Sequence, residues 1–447
     1  MRKIILFTLA ALLLAACAAP TEEPPNWDEY NPFGESIQQQ GAVPLSELLP
    51  PTRAAGEPIM TPTPNALHYA PAAEQGPGFK IVPNSEFVRS PASLLLNMDV
   101  YLKAKNGYIK SYQEEIDGEL YNGVEIVDRI SHEYSINPRL LLALIEYQSG
   151  WITQSTVDET VYPLRYYEEW RAGLYRQLIW SANELNRGYY LWRANAVTEW
   201  TFVNGDVVGI NPSINAGTAG LQNYFALLYT RDVWEYDVSE DGFFATYEEL
   251  FGYPFDYAIE PIVPSNLIQP PLLLPFARGE SWSYTGGPHG GWDTGSGWAA
   301  LDFAAPGELT GCAPAEAWVR AASAGLVVRS GNGAVVVDLD GDGYEETGWT
   351  LLYMHMGTDG RVQNGSNVEV GDRIGHPSCE GGLSNAAHLH FARRYNGEWI
   401  PADGPQPFNL DGWISSGTGN EYDGYLTRGK DVVEAWDGQN LLNQITR

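Results

Sequence analysis

The chain has 447 residues, too many for one ordinary hydrophobic core, so two domains with irregular segments around them are expected. It is 44% hydrophobic and 12% aromatic, enough to build packed cores. A formal net charge of -30 makes it a poor ligand for nucleic acid and for anionic lipid headgroups.

In chain order, the first segment reads as a targeting signal. Arg2 and Lys3 precede an apolar run from Ile4 to Leu14, too short to anchor stably across a bilayer. The run ends in Leu14-Ala15-Ala16-Cys17, which resembles the bacterial lipobox. That resemblance implies a signal peptide over 1–16, lipidation of Cys17 and attachment to an envelope membrane. Residues 17–80 are rich in Pro, Ala, Glu and Thr, with Pro24-Pro25, Pro50-Pro51 and Pro62-Thr63-Pro64. No apolar period persists there, so we expect an extended tether.

The pattern turns helical over 81–262. Apolar spacing predicts helices around Val124 to Ile130 and Leu140 to Ile145, and further helices over Tyr166 to Arg187 and Gly220 to Tyr229. Asn137-Pro138 is a start signal, with Asn as cap and Pro in the first turn. A Pro-rich stretch over 263–275 reads as a stiff linker. From 276 to 430, β-branched runs such as Gly325 to Val328, Ala334 to Val337 and Trp349 to Tyr353 alternate with Gly-rich turns. That is an all-β pattern with hairpins, and 431–447 is expected to be a tail. The expected class is multidomain α+β: a mainly α domain, then an antiparallel all-β domain. Cys312 and Cys379 are an even pair in a chain expected to be exported, which suggests a disulfide.

Five of the seven histidines fall between 289 and 390. In Ala387-His388-Leu389-His390-Phe391, residues i and i+2 of a strand share a face, so His388 and His390 project together. Asp302 lies in the apolar run Trp298 to Phe303, where a carboxylate is costly unless it is paired or bound to a metal. His289, Asp302 and His390 make a His₂Asp donor set with a fourth tetrahedral position open, the layout of a catalytic zinc site. His355 ends another strand in Leu352-Tyr353-Met354-His355.

In this order, the histidine and aspartate elements resemble those of the lysostaphin and LasA (staphylolysin) family of peptidoglycan endopeptidases. The spacing from His289 to Asp302 is similar to that of the LasA branch. Val370 to Gly375 and Ser384 to Ala387 are similar to the segments that precede its final H-x-H. The resemblance covers about 275 to 430. It implies one Zn²⁺ held by His289, Asp302 and His390, with His355 and His388 unligated and catalytic, and peptidoglycan as partner. It also implies an oxyanion-stabilising tyrosine near the C-terminus, for which Tyr422 and Tyr425 are candidates. His376 has no counterpart and reads as a neighbour of the site or a surface residue. Asp338, Asp340 and Asp342, followed by Gly343, resemble part of a Ca²⁺ loop, but position 12 is Trp349 and strands flank it. A bound Ca²⁺ and a polar hairpin tip are both open readings.

In the helical half, Leu144 to Trp151 resembles the lysozyme and lytic transglycosylase segment that ends in Glu-Ser-Gly, but Gln148 replaces the catalytic Glu. An amide cannot serve as the general acid, and Glu146 belongs to another helix face. The resemblance implies a lysozyme-like module without its chemistry, which would hold wall glycan along aromatics such as Trp151, Trp170, Trp180 and Trp192. The expected function is a zinc endopeptidase acting on peptidoglycan stems or cross-bridges. Two rivals stand beside it: a non-catalytic wall-binding or amidase-activating lipoprotein, and a glycan-cleaving transglycosylase.

Overall fold

Asn137 starts its helix as its position in the sequence implies. Its side-chain oxygen accepts the Arg139 N–H, Pro138 fills the first turn, and the helix Pro138–Ser149 ends at Gly150 in the left-handed conformation. Gly123–Tyr134 opens on a capping box between Asn122 and Glu125. The computed structural model describes residues 74–307, 311–382 and 384–447. The signal peptide, Cys17 and all but the end of the tether lie outside them. The described residues all belong to the compact unit Gln39–Arg447. Among them, no helix is long and apolar enough to cross a membrane.

Two helices have other bounds than their apolar spacing predicts. The third long helix is Leu174–Arg193, not Tyr166 to Arg187. The preceding segment wraps around Gln177, whose amide bonds the backbone of Leu164, Tyr166 and Arg171 and so competes with helix hydrogen bonding. The fourth is Ala216–Leu228, capped by Asn215. Gly220 lets these two helices pack closely: a Cβ there would lie 2.8 Å from the Leu185 carbonyl oxygen. The tryptophans expected along a glycan cleft are core residues, Trp170 apart. Trp151, Trp180 and Trp192 are buried, and Trp180 stacks on Tyr166 at 3.8 Å. Trp170 is exposed, with the Arg171 guanidinium over its ring.

The β half is built on a nine-stranded antiparallel sheet. Its central strands run Ala334–Asp338, Trp349–Met354, Leu389–Tyr395, Ala300–Ala304 and Ser281–His289, each bonded to the next. Strand alternation gives the sheet two different faces. Leu301, Phe303, Val335, Val337, Leu351, Tyr353, Leu389 and Phe391 form the core of the β half. Ala300, Val336, Leu352 and Ala392 turn the other way and join the core of the helical half. One face of the sheet is thus covered by the helices.

Two segments differ from their expected roles. Residues 431–447 are not a tail. Asp431–Glu434 pairs with Gly424–Arg428, and Gln444–Thr446 pairs with the Ser281–His289 strand as an edge of the large sheet, with Ile445 buried. Residues 263–275 do not stand off as a linker. Leu267, Leu272 and Leu274 are buried in the β core, and the Gln269 side chain bonds Arg393 and Asn409. Apolar side chains spaced between the prolines drive that burial.

Ile445→Ala should therefore lower stability by about 2–4 kcal/mol. Urea unfolding followed by tryptophan fluorescence checks this; a free tail would give no change.

Candidate active site

The register of the sheet sets the site. Asp302 lies directly opposite His390, and His390 lies opposite Met354. His289 ends the neighbouring strand after a bulge that includes Gly286 and Gly287. A Cβ on Gly286 would sit 2.7 Å from Asp302 Oδ2, so that strand position must be bare for the carboxylate to fit. The three functional groups thus come from three strands. All three residues are less than a tenth exposed.

Their polar atoms converge. His289 Nε2 is 2.9 Å from His390 Nδ1 and 3.2 Å from Asp302 Oδ1, and His390 Nδ1 is 3.3 Å from the same oxygen. The far nitrogen of each ring faces a carbonyl: His289 Nδ1 donates to Gly287 O at 2.7 Å and His390 Nε2 to Gly291 O at 3.1 Å. Those bonds fix the tautomers, so both inward nitrogens present lone pairs when the rings are neutral. Asp302 Oδ1 is buried and has no hydrogen-bond donor. Three acceptors this close, with no proton shared among them, repel one another unless a cation lies between. The His₂Asp donors therefore fit a metal ion, and among the described residues they form one of two such groups.

Two more imidazoles flank this group. The His388 ring lies 4.5 Å from that of His355, and its Nε2 is 3.7 Å from Asp302 Oδ1. Both hold the proton on Nδ1, donating to Ala386 O at 2.8 Å and to Glu380 O at 3.2 Å. That leaves both Nε2 atoms free as bases. His355 follows its strand in the left-handed conformation (φ 63°), which breaks the strand alternation at Met354. Burial works against the Asp302 charge, but His289 and His388 hold the carboxyl well below the usual range. Burial and the neighbouring His388 push the His355 imidazole down to about 3, and burial lowers His390 as well. In His289, the Asp302 charge outweighs burial and raises the pKa.

The two candidate tyrosines separate. Tyr422 stacks on His289 with centroids 4.3 Å apart, and burial raises its hydroxyl pKa to about 12, so it stays a donor. Tyr425 is not at the site. It lies on the Gly424–Arg428 strand with its hydroxyl toward Glu434, because strand alternation there turns it away. His376 lies tilted against Trp318 and donates to Ala317 O, outside the convergent group. Asp338, Asp340 and Asp342 accept N–H bonds from residues 340 to 344 of their own turn, the contacts of a polar hairpin tip. Gln148 is buried, and its side-chain oxygen accepts the Tyr229 hydroxyl at 2.6 Å.

Sequence reasoning missed the loop between His289 and Asp302. Its Gly291 carbonyl orients His390, and the helical half holds it in place. The Tyr134 hydroxyl donates to Asp293 Oδ2 at 2.9 Å, and the Gly295 N–H donates to Asn183 Oδ1 at 2.7 Å. The density of glycines at 286, 287, 290, 291, 295 and 297 was the available signal.

A sheet that brings two imidazoles and a carboxylate together beside two free imidazoles is of the metallopeptidase kind. Residues 301–401 match the model of Peptidase family M23. Residues 80–263, ahead of that match, match the model of the LasA N-terminal domain. Asp302, His355, His388 and His390 fall inside the peptidase match, and His289 lies before it. Among relatives, the chain is 28% identical to Protease LasA of Pseudomonas aeruginosa over 341 residues, 70% of this chain and 76% of the relative. It is 29% identical to the beta-lytic metalloendopeptidase of Lysobacter enzymogenes over 175 residues, 37% of this chain and 88% of the relative. The solved structure of pseudoalterin, a deep-sea M23 metalloprotease, aligns at 25% identity over 41% of this chain and 100% of its own, with a TM-score of 0.30. The named relatives are a protease and a metalloendopeptidase, which supports a peptidase function for this chain.

The Cys312–Cys379 disulfide is formed, with Cα atoms 5.1 Å apart. It closes a loop of sequence separation 67 that contains His355, and it adjoins Glu380, the acceptor for the His355 ring. Reducing it should lower stability by about 4 kcal/mol from loop entropy. Denaturant midpoints with and without a reductant check this, and an unchanged midpoint would contradict it.

Proposed function

We propose that this protein is a zinc-dependent endopeptidase that hydrolyses peptide bonds in the stems or cross-bridges of bacterial peptidoglycan. The observation that carries the reading is the convergence of His289 Nε2, His390 Nδ1 and Asp302 Oδ1, a buried triangle of acceptors without a proton to share. Two imidazoles and a carboxylate, with a fourth position free, are the usual donors of a catalytic zinc site. Zinc bound there supplies Lewis acidity, which polarises a scissile carbonyl and makes a water molecule acidic.

The chain supplies the rest. His388 Nε2 faces the triangle, carries a lone pair, and takes the proton of the attacking water. Once protonated, His388 gives that proton to the leaving amine, while His355, its Nδ1–H held by Glu380 O, presents a neutral Nε2 beside it. The Tyr422 hydroxyl, held protonated, donates to the oxygen that gains charge during attack. His355 is buried, which strengthens its interactions there.

The wall substrate rests on the family resemblance of the His289, Asp302, His355 and H-x-H elements. In this reading the helical half holds wall glycan near the peptidase, and a lipid on Cys17 keeps both at an envelope membrane. Mass spectrometry of muropeptides released from purified wall, with and without a chelator, tests the reading. New amino termini that vanish with the chelator support it. New reducing or anhydro sugar ends would favour glycan cleavage instead, and binding without either product would favour an adaptor.

Single substitutions divide the roles. His390→Ala should lose zinc and activity together. His388→Ala should keep zinc and lose about 10²–10⁴-fold in kcat. Metal content by atomic emission beside peptide turnover checks both, and an empty metal site in His388→Ala would overturn the ligand assignment.

A further inference from the structure

A cavity lies in the helical half, apart from the histidine site. It measures about 450 Å³ and is lined by Tyr147, Gln148, Arg165, Tyr167, Tyr229 and Asp237, with Val233 at its edge. Its walls come from the helix Pro138–Ser149, the end of Ala216–Leu228 and the short helix Arg231–Asp237. We propose that this cavity binds one or two rings of a neutral saccharide. The inference rests on the reading that the helical half holds wall glycan, and gives that role a site.

Three features carry it. The first is the aromatic wall. Three tyrosine rings line one small space, and the Tyr167 ring is 60% exposed, with Arg165 donating to its hydroxyl at 3.2 Å. Sugar rings offer C–H faces to aromatic planes and hydroxyls at their edges, so they match a wall that is apolar in the ring and polar at its tip. The second is the polar floor. Gln148 and Asp237 are both more than nine-tenths buried. Tyr229 donates to Gln148 Oε1 and Tyr147 to Asp237 Oδ1, so both hydroxyls are oriented and keep their oxygen lone pairs for a ligand. Asp237 Oδ2 has no hydrogen-bond partner in the protein. A buried acceptor without a donor is unfavourable, and a sugar hydroxyl supplies the donor.

The third feature is charge. Burial raises Asp237 to about 6, as expected of a carboxyl whose hydrogen-bond donor is a neutral hydroxyl rather than a cation. Arg165 is already engaged, with Nε donating to Gln148 O at 2.8 Å. The net charge of -30 turns away acidic polymers. A neutral saccharide remains the class that uses the rings, the amide and the unpaired carboxylate oxygen together.

The test is calorimetric titration of the full chain with the trisaccharide of N-acetylglucosamine and, separately, with cellotriose. We expect the wild-type protein to bind at least one of them. Tyr167→Ala and Asp237→Asn should each weaken binding tenfold or more, with thermal melting checked beside each. Tyr167 is exposed, so its variant keeps the test valid even if Asp237→Asn does not fold. Binding of the N-acetylated sugar alone places the acetamido group in the pocket, and binding of both places the bare ring there. No binding of either sugar at millimolar concentration, or wild-type affinity in Tyr167→Ala, would overturn the site. Pelleting of the wild-type protein with purified wall reads the broader role separately: pelleting without oligosaccharide binding removes this pocket and leaves that role standing.

Discussion

Everything at the catalytic end depends on one oxygen atom. Asp302 Oδ1 is buried, anionic and without a hydrogen-bond donor, and two imidazole lone pairs point at the same small space. In water each of these atoms would be solvated. Inside the protein they are held together by a folded sheet, a bare Gly286 and two carbonyls that fix the imidazole tautomers. The arrangement is unfavourable by itself and becomes favourable around a cation. That conflict is why the three donors fit a metal ion better than a cluster of satisfied side chains.

The large sheet makes this possible because its two faces do different jobs. One face supplies the core of the β half. The other carries Asp302 and His390 and, one row along the strands, the small residues Ala300 and Ala392 that pack with the helical core. The helical half therefore does more than sit beside the peptidase domain. Tyr134 and Asn183 hold the loop whose Gly291 carbonyl aligns His390. Positioning of this kind, one bond removed from a functional imidazole, sets its orientation and its basicity.

The same face carries a buried ionic network that joins the halves. Glu345 accepts from Arg329 and Arg394, and burial is outweighed by those two cations, which hold its carboxyl far below the usual range. Arg394 also reaches the His132 carbonyl, while Arg89 pairs with Glu346. Buried pairs of this sort add little net stability, but breaking one leaves an uncompensated charge, so they penalise any other docking of the two halves.

Much of the catalytic site was legible in the sequence. The H-x-H spacing puts His388 and His390 on one side because strands alternate, and an aspartate in an apolar run demands a partner. The helix start at Asn137 was local chemistry too. Tertiary structure decided what no local pattern carries. His355 turns toward His388 only because its backbone is left-handed, and Tyr422 rather than Tyr425 reaches His289 because a turn places it there. The last strand joins an edge more than 150 residues away in the chain, and Trp151, Trp180 and Trp192 fill the core rather than a cleft. Spacing along a chain sets which side chains share a face over a few residues. Which distant faces meet is set by burial and register across the whole fold.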